Sequence, residues 1–256
     1  IGSLATGDSM VISLDASDVT AETGVLVRGR TGSVTHKHQP NVTADNDIML
    51  LHGSLTGLTD MARNQVYDES AGTWSSELLT ATGNSSIRWV QAVQNNKIKD
   101  SFVAAVMSTN GMVGEINVLH SKGGVWSNNL TIPMADNRIA SRVYDIEVES
   151  ISGDMLLVCG NANYNPRFYT FSHSAGTWSF GGNVLSNNSG SNQTEWIELA
   201  PEMGGDKIAL MYSDTGSDLF AVVWNGSSWD EANTLTKFTT NILNRNPRNW
   251  DLAYES

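Results

Sequence analysis

The stretch Ser-Ala-Gly-Thr-Trp at Ser70–Trp74 occurs again, unchanged, at Ser174–Trp178. Between the two copies lies Gly-Gly-Val-Trp, which ends at Trp126, and a looser version, Ser-Ser-Trp, ends at Trp229. The four tryptophans are therefore 52, 52 and 51 residues apart. A constant spacing of this length indicates tandem repeats, each of which is one supersecondary unit that packs against its neighbours.

Two further series of residues share this period. The first is aromatic, with spacings of 55, 52 and 54, and its members are Trp89, Tyr144, Trp196 and Trp250. The second is an acidic residue that opens an apolar run, with spacings of 53, 54 and 52, and its members are Asp47, Asp100, Asp154 and Asp206. Three markers with one period of about 52 residues predict a repeated domain over residues 45–256.

Each unit has the pattern of four short β-strands. In residues 194–236, TEWIELAP alternates, KIALMYS is a continuous apolar run, LFAVVWNG follows DTGSD, and SSWDEANTL follows the turn NG. Runs of this length between Gly, Asn, Asp and Ser turns predict strands, and no amphipathic helix is evident. A four-stranded meander at this period is typical of a β-propeller blade, in which the aromatic markers would fill the space between sheets.

The two ends of the repeat region predict ring closure. RNWDLAYES, near residue 250, resembles the first strand of a unit, whereas DNDIMLLHG, near residue 45, begins with a second strand. We therefore predict that the C-terminal strand completes the N-terminal blade, which would remove a sheet edge and give four blades. Residues 1–44 lack both tryptophan markers and are predicted to form a β arm that docks on the propeller or another subunit. The alternative is a degenerate fifth blade.

The composition restricts the classes of partner. The net charge of −12 argues against binding to nucleic acid or to anionic membrane surfaces. No apolar run approaches the 18 residues of a transmembrane helix. Only 16% of residues are charged, so the surface must be rich in Ser, Thr, Asn and Gly, as is common in secreted β proteins. We therefore expect an extracellular or cell-surface protein.

Other features bear on the same expectation. The chain begins at Ile1, from which we expect a removed leader or further upstream sequence. The single cysteine, Cys159, is predicted to be a buried apolar residue, because it has no partner for an internal disulfide. Six N-x-S/T sequons are candidates for glycosylation, and they begin at Asn41, Asn84, Asn129, Asn187, Asn192 and Asn225.

Several of these segments resemble a known type of repeat. NWDLAYES, SGDMLLV and FAVVWNGSSW are similar to the tandem units of secreted bacterial and archaeal β-propeller-like proteins, in which N-G-x-x-W precedes an F/W-D-x-A-Y-E strand. The resemblance covers residues 45–256. It implies the architecture and a cell-surface setting, but no catalytic residues. The Asp box of sialidase propellers, S-x-D-x-G-x-x-W, is not matched by SAGTW.

Candidate metal ligands are few. His36 and His38 form an H-x-H pair that would share one face of a strand, which suits a metal only if further ligands are supplied. Exposed histidines are the alternative. Asp15, Asp18 and Glu22 offer oxygen ligands to calcium, but their spacing is not that of an EF-hand loop, and a solvated acidic turn is the alternative. We predict no other cofactor.

The sequence contains many carboxylates that could be catalytic, but it does not single out a pair. The repeated aspartates could ring a channel, although a role in bonding turn amides is favoured because each lies at a turn. Glycosidase chemistry requires two carboxylates about 5–10 Å apart, and the candidates are Glu147, Glu149, Glu195 and Glu198. No local catalytic motif occurs, so we expect a non-enzymatic protein.

Three functions remain open from the sequence. The first is a structural or interaction subunit of a surface appendage, filament or surface layer, assembled through residues 1–44 and other protein subunits. The second is a carbohydrate-binding adhesin or lectin, in which Trp89, Trp196 or Trp250 would stack on glycans. The third is a glycan-processing hydrolase, which would need convergent carboxylates in a cleft.

Overall fold

The computed structural model describes residues 48–52, 61–68, 71–76, 78–81, 86–95, 97, 101–110, 113–122, 125–134, 141–160, 165–185, 192–240 and 250–254. The described strands form four separate sheets of four strands each. The predicted all-β fold of repeated four-stranded units is therefore confirmed.

The strands of the first and second sheets are β1 Ile48–His52, β2 Met61–Asp68, β3 Thr73–Trp74, β4 Leu78–Ala81, β5 Ser86–Gln94, β6 Ser101–Asn110, β7 Val113–Lys122 and β8 Val125–Met134. Those of the third and fourth sheets are β9 Tyr144–Val148, β10 Met155–Cys159, β11 Arg167–Ser172, β12 Thr177–Asn183, β13 Thr194–Pro201, β14 Ile208–Asp214, β15 Leu219–Trp224 and β16 Thr236–Thr239.

The second, third and fourth sheets are antiparallel meanders in which each strand pairs with the next in the chain. In the first sheet β1 pairs with β2, and both β3 and β4 pair with β2. The first strands of successive sheets contact one another, β5 with β9 and β9 with β13. The sheets are therefore stacked side by side with their first strands on a common inner side.

Among the described residues, three apolar clusters lie between neighbouring sheets. Met107 of the second sheet packs with Ile146 of the third, and Leu156 of the third packs with Leu210 of the fourth. A smaller cluster joins Ala62 of the first sheet to the second. The second and third sheets are thus covered on both faces, which explains their continuous apolar runs. Each large side chain buried in this way contributes about 1.5–3 kcal/mol.

The fourth sheet departs from its predicted strand pattern. We expected SSWDEANTL to be one strand, but Glu231–Thr234 forms a helical turn, α1, and only Thr236–Thr239 pairs with β15. The prediction was wrong because Glu, Ala and Asn have low β-propensity. The hydroxyl of Thr234 donates to Asp230 O at 2.6 Å and accepts from Val223 N at 2.9 Å, which holds the turn against β15.

The predicted closing strand is not formed by the described C-terminal residues. Residues 250–254 lie outside any strand, and Trp250 is half-buried. Ring closure and the number of blades therefore stay predictions, and residues 1–47, including the predicted arm, lie outside the described residues. The described part of the chain contains one helix, of four residues, which is far too short to cross a membrane.

Candidate functional site

The first strands of three consecutive sheets converge on one guanidinium group. Arg142, just before β9, donates from Nη1 to Gln91 Oε1 of β5 at 2.7 Å and from Nη2 to Glu198 Oε2 of β13 at 2.8 Å. Asp145 Oδ1 of its own sheet lies 3.4 Å from Nη1. The Arg142 and Glu198 side chains are only 12% and 6% exposed, so this inner cluster is a largely buried link between three sheets.

Neighbouring carboxylates are also engaged by the fold. Asp145 Oδ2 accepts a hydrogen bond from Leu199 N of the fourth sheet at 2.8 Å. Glu149 accepts from Trp224 Nε1 at 2.7 Å and from the Ser152 hydroxyl at 2.6 Å. Burial raises the pKa of the Glu149 carboxyl despite these two hydrogen bonds. These acidic groups link sheets and turns.

The remaining predicted acidic residues have varied positions. Glu147 is buried and Glu195 is half-buried. Asp154 Oδ1 accepts from His173 N at 2.6 Å, and Asp206 Oδ1 accepts from Ile151 N at 2.8 Å in the turn of the preceding sheet. Both described members of the repeated aspartate series thus bind backbone amides, whereas Asp47 and Asp100 lie outside the described residues.

The four tryptophans of the first repeat series differ in exposure. Trp126, Trp178 and Trp229 are half-buried, and each packs against one of the three clusters between sheets. Trp74 is instead 39% exposed. The two copies of Ser-Ala-Gly-Thr-Trp therefore have different environments, because Trp178 faces the second sheet and no described sheet covers the corresponding face of the first.

The members of the second aromatic series are all buried or half-buried. Trp89 and Trp196 meet edge to face with ring centroids 5.6 Å apart, although they belong to the second and fourth sheets. Tyr144 is fully buried between the second and third sheets, and its hydroxyl donates to Ala105 O at 2.9 Å. The predicted stacking of Trp89 or Trp196 on a glycan would therefore have to use rings that already contact each other.

The predicted metal sites and half of the sequons lie outside the described residues, including His36, His38, Asp15, Asp18, Glu22, Asn41, Asn84 and Asn187. The described residues contain no group of three His, Cys, Asp or Glu that could hold a metal ion. Asn129 and Asn225 are exposed, and Asn192 is half-buried. Cys159 is buried and unoxidised, and burial raises the pKa of its thiol to about 11.

A histidine supports Trp178 from the second sheet. Trp178 Nε1 donates to His120 Nε2 at 3.2 Å, and the two rings are perpendicular with centroids 6.1 Å apart. The acceptor role of Nε2 places the proton of the neutral imidazole on Nδ1. Burial lowers the pKa of His120 to about 4, so the imidazole is neutral at physiological pH.

Near this pair the third sheet carries two aromatic rings and a cation, which we call the outer patch: Arg167, Tyr169 and Phe180. Tyr169 and Phe180 are directly opposed on β11 and β12, so they share a face, and their ring centroids are 5.2 Å apart. Phe180 is 61% exposed, and Tyr169 packs against the cluster between the second and third sheets. Arg167, two residues before Tyr169, donates to Pro133 O of β8 at 3.3 Å.

A β-bulge next to the patch sets the position of Phe180. Phe168 pairs with Gly182 and Tyr169 pairs with Phe180, so Gly181 is the extra residue. A side chain at Gly181 would occupy the space of the Phe168 ring, which packs on the opposite face against the fourth sheet. Bulges of this kind redirect neighbouring side chains, and here the following Gly182 adopts a φ of 114°.

The second sheet uses the equivalent positions differently. Leu119 pairs with Asn128, two residues after Trp126, just as Tyr169 pairs with Phe180, two residues after Trp178. Asn128 Nδ2 donates to Asn117 Oδ1 at 2.9 Å, so these two amide side chains hydrogen-bond each other. In the fourth sheet the chain enters α1 two residues after Trp229. The exposed ring pair is therefore specific to the third sheet among these three.

The sequence analysis missed Arg142, Arg167, Tyr169 and Phe180. The sequence did contain one signal for the outer patch, which was a departure from the repeat. Phe180 lies two residues after the Gly-Thr-Trp of its own unit, whereas the preceding unit has Asn128 at that position. Arg142 carries no such signal, because its partners come from strands about 50 residues away on either side.

The chain matches no protein-family model and no curated protein. It is similar to several solved structures. A triple arginine-to-alanine mutant of AofleA from Arthrobotrys oligospora is 12% identical, over 75% of this chain and 53% of that one, with a TM-score of 0.51. A fungal lectin, described as the six-bladed β-propeller Aleuria aurantia lectin with a fucose recognition mode, is 15% identical over 75% and 57%, with a TM-score of 0.48.

A polysaccharide lyase, an ulvan lyase with a bound oligosaccharide, is 10% identical over 75% and 52%, with a TM-score of 0.49. The chain thus spans little more than half the length of these proteins. At these identities the likeness concerns the fold alone. The stacked four-stranded meanders are by themselves the arrangement predicted for successive β-propeller blades.

Proposed function

We propose that this protein is a carbohydrate-binding, lectin-like propeller, and that the outer patch receives the sugar. A pyranose ring has an apolar face of C–H groups and a rim of hydroxyls. The paired rings of Tyr169 and Phe180 would take the apolar face, and the Tyr169 hydroxyl and Arg167 would bond the rim. The observation that carries the proposal is the 61% exposure of Phe180, whose ring packs against Tyr169, and Tyr169 lies two residues after Arg167 on the same strand.

A difference between neighbouring sheets supports the proposal. A lone exposed apolar side chain needs no explanation. Here, however, the repeat provides the same two positions in the second sheet, where Leu119 and Asn128 occupy them. The third sheet differs from its neighbour in that it exposes a ring, and the largely uncharged Ser, Thr and Asn surface suits hydroxyl-rich ligands.

In this proposal the protein binds without catalysis. The carboxylates nearest the common inner side of the sheets are engaged in holding the fold, with Asp145 bonded to Leu199 N and Glu198 to Arg142. A glycosidase pair must instead be free to contact the substrate. An extracellular or cell-surface setting, expected from the composition, is where such binding would operate.

The alternative hypothesis is that the protein is a structural subunit of a filament or surface layer. It depends on residues 1–44, which lie outside the described residues. It stays a prediction, tested by truncating that segment and observing assembly by electron microscopy. No contact of the described residues favours it over carbohydrate binding.

The test of carbohydrate binding is a glycan array followed by titration of the best ligand. We expect Phe180→Ala to weaken binding at least tenfold while the fold is retained by circular dichroism. Phe238→Ala is the matched control, because Phe238 is 59% exposed on β16, the outer strand of the next sheet. Equal effects of the two substitutions, or no glycan bound by the wild type, would contradict the proposal.

A further inference from the structure

Arg167 of the outer patch lacks a counter-ion within the described residues. Its Nη2 donates to Pro133 O at 3.3 Å, and Arg167 lies directly opposite Cys159 in the pairing of β11 with β10. Its Nε is buried and has no hydrogen-bond partner among the described atoms. The other cations with described ion pairs are matched closely, since Arg142 meets Glu198 at 2.8 Å and Lys237 meets Asp218 at 2.7 Å.

An unmatched, half-buried guanidinium is costly to maintain. Removing part of its hydration shell disfavours the charge, and here no described carboxylate compensates for the loss. Cys159 does not compensate either, because burial raises the pKa of its thiol to about 11 and keeps it neutral. A neutral side chain at position 167 would avoid this cost if packing were its only purpose.

We infer that the ligand of the outer patch carries a negative charge, as in a uronic acid or a sulfated sugar. This inference rests on the proposed function of the patch. A guanidinium bonds carboxylate and sulfate oxygens well, and such charge-assisted hydrogen bonds are roughly twice as strong as neutral ones. Phe180 and Tyr169 take the apolar face of the same sugar ring.

The overall charge of the protein restricts which acidic glycans it can bind. At a net charge of −12 the protein repels densely charged polyanions at long range. At physiological ionic strength, protein charges more than about 8 Å from the bound acidic group are largely screened, so they do not prevent a local contact with one such group. The ligand is therefore an isolated acidic residue within a mostly neutral glycan, rather than a continuous polyanion.

The experiment compares matched acidic and neutral sugars against the intact chain. The probes are the methyl glycosides of glucuronate and glucose, of galacturonate and galactose, and of galactose with and without a sulfate ester, titrated by isothermal calorimetry. We expect the acidic member of at least one pair to bind about tenfold more tightly. Arg167→Gln should reduce that preference to about one, and Arg167→Lys should retain part of it.

Phe180→Ala separates the inference from the proposed function. We expect it to weaken the acidic and neutral members of a pair by the same factor, because the ring contacts the part that they share. Equal affinity of the wild type for both members of every pair overturns the inference and leaves carbohydrate binding intact. Failure of the wild type to bind any probe or any glycan on the array overturns the proposed function itself. Circular dichroism and thermal unfolding establish that each variant is folded.

Discussion

The contact of Arg142 with three sheets predicts that one substitution should destabilise the whole stack. Arg142→Met keeps the length of the side chain and removes its charge and its donors. Gln91 and Glu198 would then lose hydrogen bonds that are 2.7 and 2.8 Å long. The Glu198 carboxylate, on a side chain that is 6% exposed, would remain buried without its cation.

The magnitude follows from that burial. Removing one partner of a buried ion pair costs about 3–5 kcal/mol, because the other charge is left uncompensated. This is a large part of the total stability of about 5–15 kcal/mol that is typical of folded domains. Asp145 contributes less to the loss, since its second oxygen keeps the bond to Leu199 N. We therefore expect Arg142→Met to lower the free energy of unfolding by about 3–5 kcal/mol.

The assay is urea unfolding, followed by tryptophan fluorescence, of the wild type, Arg142→Met, Glu198→Gln and the double variant. We expect the double variant to be less destabilised than the sum of the two single variants, because it removes the uncompensated charge. Lys237→Met is the control, since its ion pair with Asp218 is of similar length but Lys237 is 43% exposed, and it should cost less than about 1 kcal/mol. A loss below about 1 kcal/mol in Arg142→Met would refute the reasoning.

Three further predictions concern single side chains. The pKa of His120 is lowered to about 4 in the folded state, so the free energy of unfolding has its full value above pH 6.5 and falls as the pH drops from 6.5 to 4. Allowing for partial exposure, this loss is about 1–2 kcal/mol. Urea unfolding of His120→Gln over the same pH range should not show the loss. Because the pKa of Glu149 is raised, its ionisation costs stability as the pH rises, so Glu149→Gln should gain stability over the wild type at pH 7 relative to pH 4 in the same assay. Gly181→Ala should lower the free energy of unfolding by about 1–3 kcal/mol through a clash with the Phe168 ring, and a Phe168→Leu background should reduce that loss in thermal unfolding.

The sequence predicted the strands well where the repeat was regular and less well where local propensity interrupted it. The markers Trp126, Trp178 and Trp229 gave the period and, with it, the space between sheets that these rings fill. The pattern could not reveal α1, because the apolar signal of the unit ended at Trp229 and the following Glu-Ala-Asn-Thr carries no strong preference for a strand.

The candidate site was less accessible to sequence reasoning. Arg167 and Tyr169 are close in the chain, but which residue of β12 lies opposite Tyr169 depends on the register of β11 with β12. That register is altered by one extra residue at Gly181, and a shift of one residue reverses the face of each side chain that follows.

The sequence by itself determined the repeat, the four-stranded unit and the all-β class, because hydrophobic periodicity and turn residues are local properties of the chain. Only the tertiary structure decided that Arg142 would join three sheets, that Trp74 would be exposed while Trp178 is half-buried, and that Phe180 would pack against Tyr169. These outcomes depend on residues about 10 to 60 positions apart in the chain, and such contacts are set by how the sheets stack.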